Sequence, residues 1–422
     1  MTLTACNDVN ETAFWNVRDS HFYKGSEGPY YFTGTNMWYG PLLASDTYAA
    51  NPERLAAELD SLKAIGMTNL RVLVGADGRP GVMSKVEPTL QTEPGVYDES
   101  VFVGLDRFLA ELGKRGMSAV LYINNAWEWS GGFGQYLEWA GAGKALSTVD
   151  AVWSEYCARN SQFVTNEKAK AMFAEHVKNV ISRVNTVTGR PYSEDTAIFS
   201  WQICNEPRFF VAKDEIREAF VQWLYETAAL IKSLDPNHMV STGSEGSFGC
   251  EAEMDTFIRI HECPDIDYLT MHIWPLNWSW VTKDTLAEDL QNAIDNTNDY
   301  IDQHIAAADS IGKPLVLEEF GFPRDGFVFT KGSPTTLRDS YYRNAFGRLL
   351  ASKAEGGRFA GINFWTWGGL AKQNPDSYIW QKGDDYCGDP AQEQQGLNSV
   401  YLTDESTLAL IRDCCRRLAQ QN

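Results

Sequence analysis

The chain has 422 residues and a formal charge of -20, an excess of carboxylates that excludes a nucleic-acid surface, which needs a basic face to neutralise phosphates. The same charge repels an acidic polysaccharide, so a neutral partner is the better fit. The hydrophobic fraction of 44% fills an ordinary globular core, and no stretch approaches the roughly 18 apolar residues that cross a bilayer.

Strand-like and helix-like segments alternate along the chain. A first strand is predicted at 32–36. Asn51-Pro52 then opens a helix as cap and first-turn proline, with Leu55, Leu59 and Leu62 as its buried stripe and Gly66 as its stop. A strand at 69–74 leads to a helix carrying Val101, Leu105, Phe108, Leu109 and Leu112, ended by Gly116. The third strand is expected at 118–124, followed by a helix near 167–185 that buries Phe173, Val177, Val180, Ile181 and Val184. The fourth strand falls at about 197–204. Further helices are predicted at 213–234, 284–308 and 335–354, the last opened by Ser333-Pro334, with strands at 238–242, 267–271, 314–319 and 359–365. A closing helix covers 405–419.

Eight strands, most followed by a helix, predict an α/β fold with a parallel sheet. Only the segment after the fifth strand reads as poorly helical. Closing such a sheet into a (β/α)8 barrel removes its edges and places the site on long loops at the C-terminal ends of the strands. A doubly wound sheet is the alternative, but no G-x-G-x-x-G follows a strand. No linker or repeat interrupts the chain, so a tail at 1–13 precedes one catalytic domain at 14–422, with 7–29 read as a hairpin closing the barrel bottom.

Acidic, amide and aromatic residues gather at the strand ends. The fourth strand runs into Asn205-Glu206-Pro207-Arg208, and the seventh ends Glu318-Glu319-Phe320-Gly321. Glycoside hydrolysis needs two carboxyl groups, one to protonate the leaving oxygen and one to attack or to activate water. Strand alternation turns Glu318 and Glu319 to opposite faces, so only one is expected to enter the barrel.

These motifs resemble glycoside hydrolase family 5, the cellulase and mannanase family of retaining hydrolases. Its mannanase branch is resembled by Ile123-Asn124-Asn125 with Trp127, Trp129, Gly131-Gly132, Tyr136 and Trp139-Ala140-Gly141, by Arg183-Val184-Asn185 with Thr188-Gly189, Tyr192-Ser193 and Asp195, and by Asn205-Glu206-Pro207-Arg208. The resemblance implies Glu206 as acid/base, Glu319 as nucleophile and Asn205 as donor to the sugar 2-hydroxyl. It also implies Arg71 as the strand-two arginine that keeps the nucleophile ionised. His272 stands in Met271-His272-Ile273-Trp274, where the family shows His-x-Tyr, so Trp274 Nε1 or another donor must replace the tyrosine hydroxyl. Trp365 is similar to the tryptophan that floors the subsite beside the scissile bond, with Trp367 as its rival. Trp38, Trp127 and Trp129 are further candidate stacking platforms.

The resemblance alone points to a neutral β-mannan or manno-oligosaccharide, cleaved by double displacement without cofactor or metal. A wall built from 124–165, 320–334 or 366–400 would make the enzyme an exo-acting β-mannosidase, the reading preferred here. An open cleft would make it an endo-mannanase. A β-1,4-glucanase and a catalytically inactive carbohydrate-binding barrel are the remaining alternatives.

Eight cysteines, at 6, 157, 204, 250, 263, 387, 414 and 415, show no zinc-site spacing and read mostly as free or core thiols. Leu3-Thr4-Ala5-Cys6 resembles a bacterial lipobox. The corresponding expectation is export, with a lipid anchor at Cys6 and a place on the outer membrane or surface of a bacterium.

Overall fold

The computed structural model describes residues 13–80 and 85–420. At its centre is a sheet of eight parallel strands. These are β1 (Phe32–Asn36), β2 (Asn69–Leu73), β3 (Ser118–Tyr122), β4 (Ile198–Gln202), β5 (Met239–Ser241), β6 (Leu269–Ile273), β7 (Leu315–Phe320) and β8 (Phe359–Phe364). Each pairs with its neighbour in sequence, β8 returns to β1, and a bridge between Ser241 and Tyr268 joins β5 to the approach of β6. The fold is a (β/α)8 barrel. Nearly every strand residue is buried, as expected for strands covered by helices on one face and packed into the barrel on the other.

The surrounding helices are α1 (Pro52–Ile65), α2 (Glu99–Arg115), α3 (Glu167–Ile181), α4 (Asp214–Leu234), α5 (Met254–His261), α6 (Leu290–Ile311), α7 (Thr336–Glu355) and α8 (Glu405–Ala419). Asn51 caps α1 by accepting from the Arg54 amide, and Gly66 ends it in the left-handed conformation at φ 98°. The stretch after the fifth strand is helical after all, as the short α5. Helix α6 starts later than its composition suggests because 275–289 are spent in the turns of the sixth loop. Helix α7 is not opened by Ser333-Pro334. The Asp325 carboxylate accepts from the Thr336 and Leu337 amides instead, a cap supplied from eleven residues upstream.

At the N-terminal end of the barrel, Trp15–Arg18 and His21–Lys24 form an antiparallel hairpin. Its fully buried Phe22 packs against Phe32, Phe199 and Tyr268 and closes the barrel floor. At the opposite end the third loop carries two short helices, Gly132–Trp139 and Trp153–Asn160, which hydrophobic periodicity did not reveal. All seven described cysteines are free and buried. Cys414 and Cys415 lie on the inner face of α8, with Cys414 Sγ beside Thr33 Oγ1 at 3.3 Å. No helix among the described residues is long and apolar enough to cross a membrane.

Candidate active site

Strand β4 breaks just past its end to present Glu206. The Asn205 amide donates to Asn124 O at 2.7 Å and the Glu206 amide to Gly243 O at 2.9 Å, tying the turn to the loops after β3 and β5. Glu206 takes φ 49°, a left-handed conformation that costs a non-glycine residue of order 1 kcal/mol and concentrates at functional sites. Gly243 is required here: it sits at φ 79°, and a Cβ on it would meet Cys204 O at 1.9 Å.

Glu319 reaches the same space from β7. The pairing between β6 and β7 slips by one residue, from Met271 opposite Leu317 to His272 opposite Glu319. Glu318 is left over as a bulge, which re-aims side chains as bulges beside active sites do. Both glutamates therefore turn inward, contrary to the alternation expected from the sequence. Glu318 accepts from Gln202 Nε2 at 2.6 Å and lies 3.5 Å from Arg71 Nε. Glu319, one layer higher, contacts Arg71 Nη1 through Oε1.

Arg71 is fully buried and has every branch occupied. It donates to Gln202 Oε1 at 2.8 Å, Asn36 Oδ1 at 3.1 Å, Asn205 Oδ1 at 2.6 Å and Glu319, and its guanidinium lies over the Tyr122 ring. Its planar fork fixes both strand ends relative to one another, a task lysine lacks the geometry for. Asn205 spends one amide hydrogen on Asn125 Oδ1 at 3.1 Å.

Glu206 collects three nitrogen neighbours. Trp127 Nε1 donates to Oε2, Trp274 Nε1 donates to Oε1 at 3.3 Å, and His272 Nδ1 lies 2.7 Å from Oε1. Burial pushes the carboxyls of Glu206 and Glu319 upward, and their mutual repulsion adds to this at Glu319. Arg71 opposes the rise at both, but it hydrogen-bonds only Glu319. Two carboxylates this close do not both ionise readily.

Above the pair lies a cavity of about 590 Å³. Trp365 and Trp129 line it, their rings edge to face, and Trp274 also meets Trp365 edge to face. The Trp365–Thr366 peptide bond is cis. Several expectations change here. Trp127 and Trp274 are hydrogen-bond donors to Glu206, and Trp274 does not take over a contact to Glu319. Trp38 is no platform: it is 1% exposed, donates to Gly388 O and packs on Tyr386 beneath the last loop. Trp367 is also buried and outside the cavity.

The structure adds residues that the sequence had not singled out. Glu245, in the loop after β5, is buried beside Arg208 at 3.4 Å and rises to about 8 through burial and the nearby Glu206 charge. Trp278 stacks on Phe248 with centroids 3.9 Å apart. An acidic residue just past a strand, and the aromatic-rich run 278–280, were the available signals. Glu393 gave none, since it lies in the 366–400 loop that folds back over the mouth with Pro390, Gln392 and Asn398. Enclosure, and then the charges of Asp389 and Glu206, push Glu393 to about 8.

One part of the motif cluster lies elsewhere. Arg183, Thr186 and Tyr192 all bond the carboxylate of Asp106 on α2, with Arg183 Nε and Tyr192 Oη at 2.9 and 2.6 Å from Oδ1. Asn185 Nδ2 donates to the Asp106 carbonyl. This knot fixes the entry to β4 and does not touch the cavity.

A family model for glycoside hydrolase family 5 β-mannosidase-like proteins matches residues 12–422. The chain belongs to that family. It is a glycoside hydrolase. Mannan endo-1,4-β-mannosidase 1 of Oryza sativa subsp. japonica is 31% identical over 92% of this chain and 82% of its own length. Mannan endo-1,4-β-mannosidase 1 of Arabidopsis thaliana is 31% identical over 79% and 77%. The glycoside hydrolase family 5 mannosidase from Rhizomucor miehei superposes with a TM-score of 0.86 at 32% identity, covering 97% of this chain and 98% of that one. The sequence relatives are plant proteins, which overturns the expectation of a bacterial surface lipoprotein. Cys6 itself lies outside the described residues.

Proposed function

We propose that this hydrolase cleaves β-1,4-mannosidic bonds with retention and acts from the ends of manno-oligosaccharides. The observation that carries retention is the carboxylate spacing. One oxygen of Glu206 and one of Glu319 lie within 4.8 Å, close to the roughly 5 Å of a direct nucleophile and short of the 6.5 Å or more that admits a water between. Glu319, ionised against Arg71, attacks the anomeric carbon while protonated Glu206 gives its proton to the leaving oxygen. Glu206 then takes a proton from water, and the water oxygen displaces Glu319. The second amide hydrogen of Asn205 is available to the sugar 2-hydroxyl, and Trp365 floors the reacting sugar's subsite. Mannose is supported by the family and by the named activities of its relatives.

End-wise action is supported by the wall. The 388–400 segment is held by buried groups: Arg338 donates to Phe322 O, Ser399 O and Leu397 O at 2.7, 2.8 and 3.0 Å, and Asp389 accepts from the Gly396 and Asn398 amides and Ser399 Oγ. A segment so fixed, lining the cavity with Pro390, Gln392, Glu393 and Asn398, is suited to stop a longer chain from passing through. The endo-acting names of the plant relatives favour the second reading, chain-internal cleavage.

A product time course on mannohexaose and on polymeric mannan, with carboxymethylcellulose as control, tests both. Mannose from the first minutes with little viscosity loss is the expected result. Early mannobiose and mannotriose with a rapid viscosity drop would establish endo action, and activity confined to the cellulose control would overturn mannan specificity.

A further inference from the structure

The two carboxylates share an arrangement that hydrolysis alone does not require. One oxygen of each is taken by a neighbour outside the pair. Trp127 takes Glu206 Oε2 and Arg71 takes Glu319 Oε1. The second oxygens, Glu206 Oε1 and Glu319 Oε2, flank His272 Nδ1 at 2.7 and 3.4 Å, and Glu206 Oε1 also accepts from Trp274 Nε1 at 3.3 Å. All three atoms lie within 4.8 Å of one another on buried residues. The other ring nitrogen, His272 Nε2, is buried without a hydrogen-bond partner and faces Glu318 Oε2 at 3.9 Å.

We infer that Glu206, His272 and Glu319 form a chelating site for a zinc- or copper-class divalent ion, which occupies the place of the reacting sugar and reversibly blocks the enzyme. The donor set is one imidazole nitrogen and two carboxylate oxygens, with a fourth position open to the cavity for water. Open tetrahedral zinc sites likewise use three protein ligands and keep a fourth position for water. The nitrogen selects against magnesium and calcium, which take oxygen ligands in larger numbers. Ligating histidines ordinarily direct their second ring nitrogen toward a carboxylate, which fixes the tautomer. Glu318, placed inward by the β7 bulge, stands where that partner belongs. With the ring proton on Nε2, the Nδ1 lone pair faces Glu206 Oε1 and Glu319 Oε2.

This site is independent of which sugar the enzyme accepts, and so is its test. Zinc chloride is titrated into the full-length protein in a calorimeter after chelator treatment and dialysis, and copper(II) is used for electron paramagnetic resonance. One ion per chain is expected, with nitrogen hyperfine coupling from a single imidazole in the copper spectrum. His272→Asn and Glu319→Gln should each weaken zinc binding by about tenfold or more, and Glu318→Gln, which touches no ion, by about tenfold. His21→Asn, on the floor hairpin, should leave binding unchanged. Each variant's thermal transition confirms that it is folded. Zinc affinity unaltered by His272→Asn, or a copper spectrum without nitrogen coupling, would overturn the site. In steady-state assays the inhibition should be competitive and removed by chelator, and inhibition that substrate cannot relieve would count against it.

Discussion

Glu318 and Glu319, adjacent in β7, both turn into the barrel. One meets Gln202 Nε2 at 2.6 Å and the other contacts Arg71. A single bulge against β6 produces this double inward turn, and it stacks two carboxylates under one cavity. Glu318→Leu should remove the 2.6 Å acceptor of Gln202 Nε2 and the 3.4 Å contact of the Tyr268 hydroxyl, leaving them Ser241 Oγ and Ser200 Oγ. The expected loss is about 2 kcal/mol of stability, read from urea unfolding. Glu318→Gln should recover much of it, and equal losses in the two variants would contradict the hydrogen-bonding role.

The proposed roles of the pair separate by leaving group. Glu206→Gln removes the proton donor and should slow cleavage of an unactivated mannoside by about 10²–10⁴-fold. An aryl mannoside, whose phenolate leaves without help, should be slowed much less in the first chemical step. Glu319→Gln should bring both substrates to background. Single-turnover rates on the two substrates distinguish these outcomes, and equal slowing of both by Glu206→Gln would reject its acid role.

The pH profile follows from the same geometry. Activity requires Glu319 ionised and Glu206 protonated, so the acid limb reports loss of the Glu319 proton and the alkaline limb loss of the Glu206 proton. Burial raises Glu206, while the Trp127 hydrogen bond opposes the rise. Trp127→Phe deletes that donor and should move the alkaline limb of kcat/KM to higher pH. A shift to lower pH would show that Trp127 does not act on the ionised carboxylate.

The Asp106 knot predicts acid sensitivity remote from the cavity. Burial raises Asp106, but hydrogen bonds from Arg183, Tyr192 and Thr186 outweigh it and hold the carboxyl below its ordinary value. A depressed folded-state pKa contributes stability that is present above the unfolded value of about 3.9 and is lost as pH falls through the folded one. Asp106→Asn should cost about 3 kcal/mol near neutrality, since it leaves the Arg183 charge with less compensation. The variant should also lose less stability than the parent on acidification through that window. Denaturant midpoints at pH 7 and pH 3 measure both effects.

The wall is testable through its anchor. Arg338→Ala removes three hydrogen bonds to carbonyls of the 320–400 region, leaving Ser399 O only Arg324 Nη2 at 3.3 Å, and should loosen the wall. The ratio of mannose to mannobiose released from mannohexaose should then fall several-fold. An unchanged ratio in a folded variant would separate the wall from the mode of cleavage.

The sequence by itself determined the alternation of strands and helices, because periodic burial and capping are local. Asn51, Pro52, Gly66 and Gly116 act within a few residues of their own positions. It also placed Glu206 and Glu319 at facing strand ends, since chain order in a barrel dictates position around the ring. Tertiary structure decided what depends on a partner strand or a distant loop. The inward turn of Glu318 rests on a register slip that only β6 can impose. Trp127 became a donor to Glu206 and Trp38 a buried support because each indole answers to groups 79 and 350 residues away. Glu393 reaches the cavity because Arg338 and Asp389 hold its loop there, and no local pattern encodes that closure.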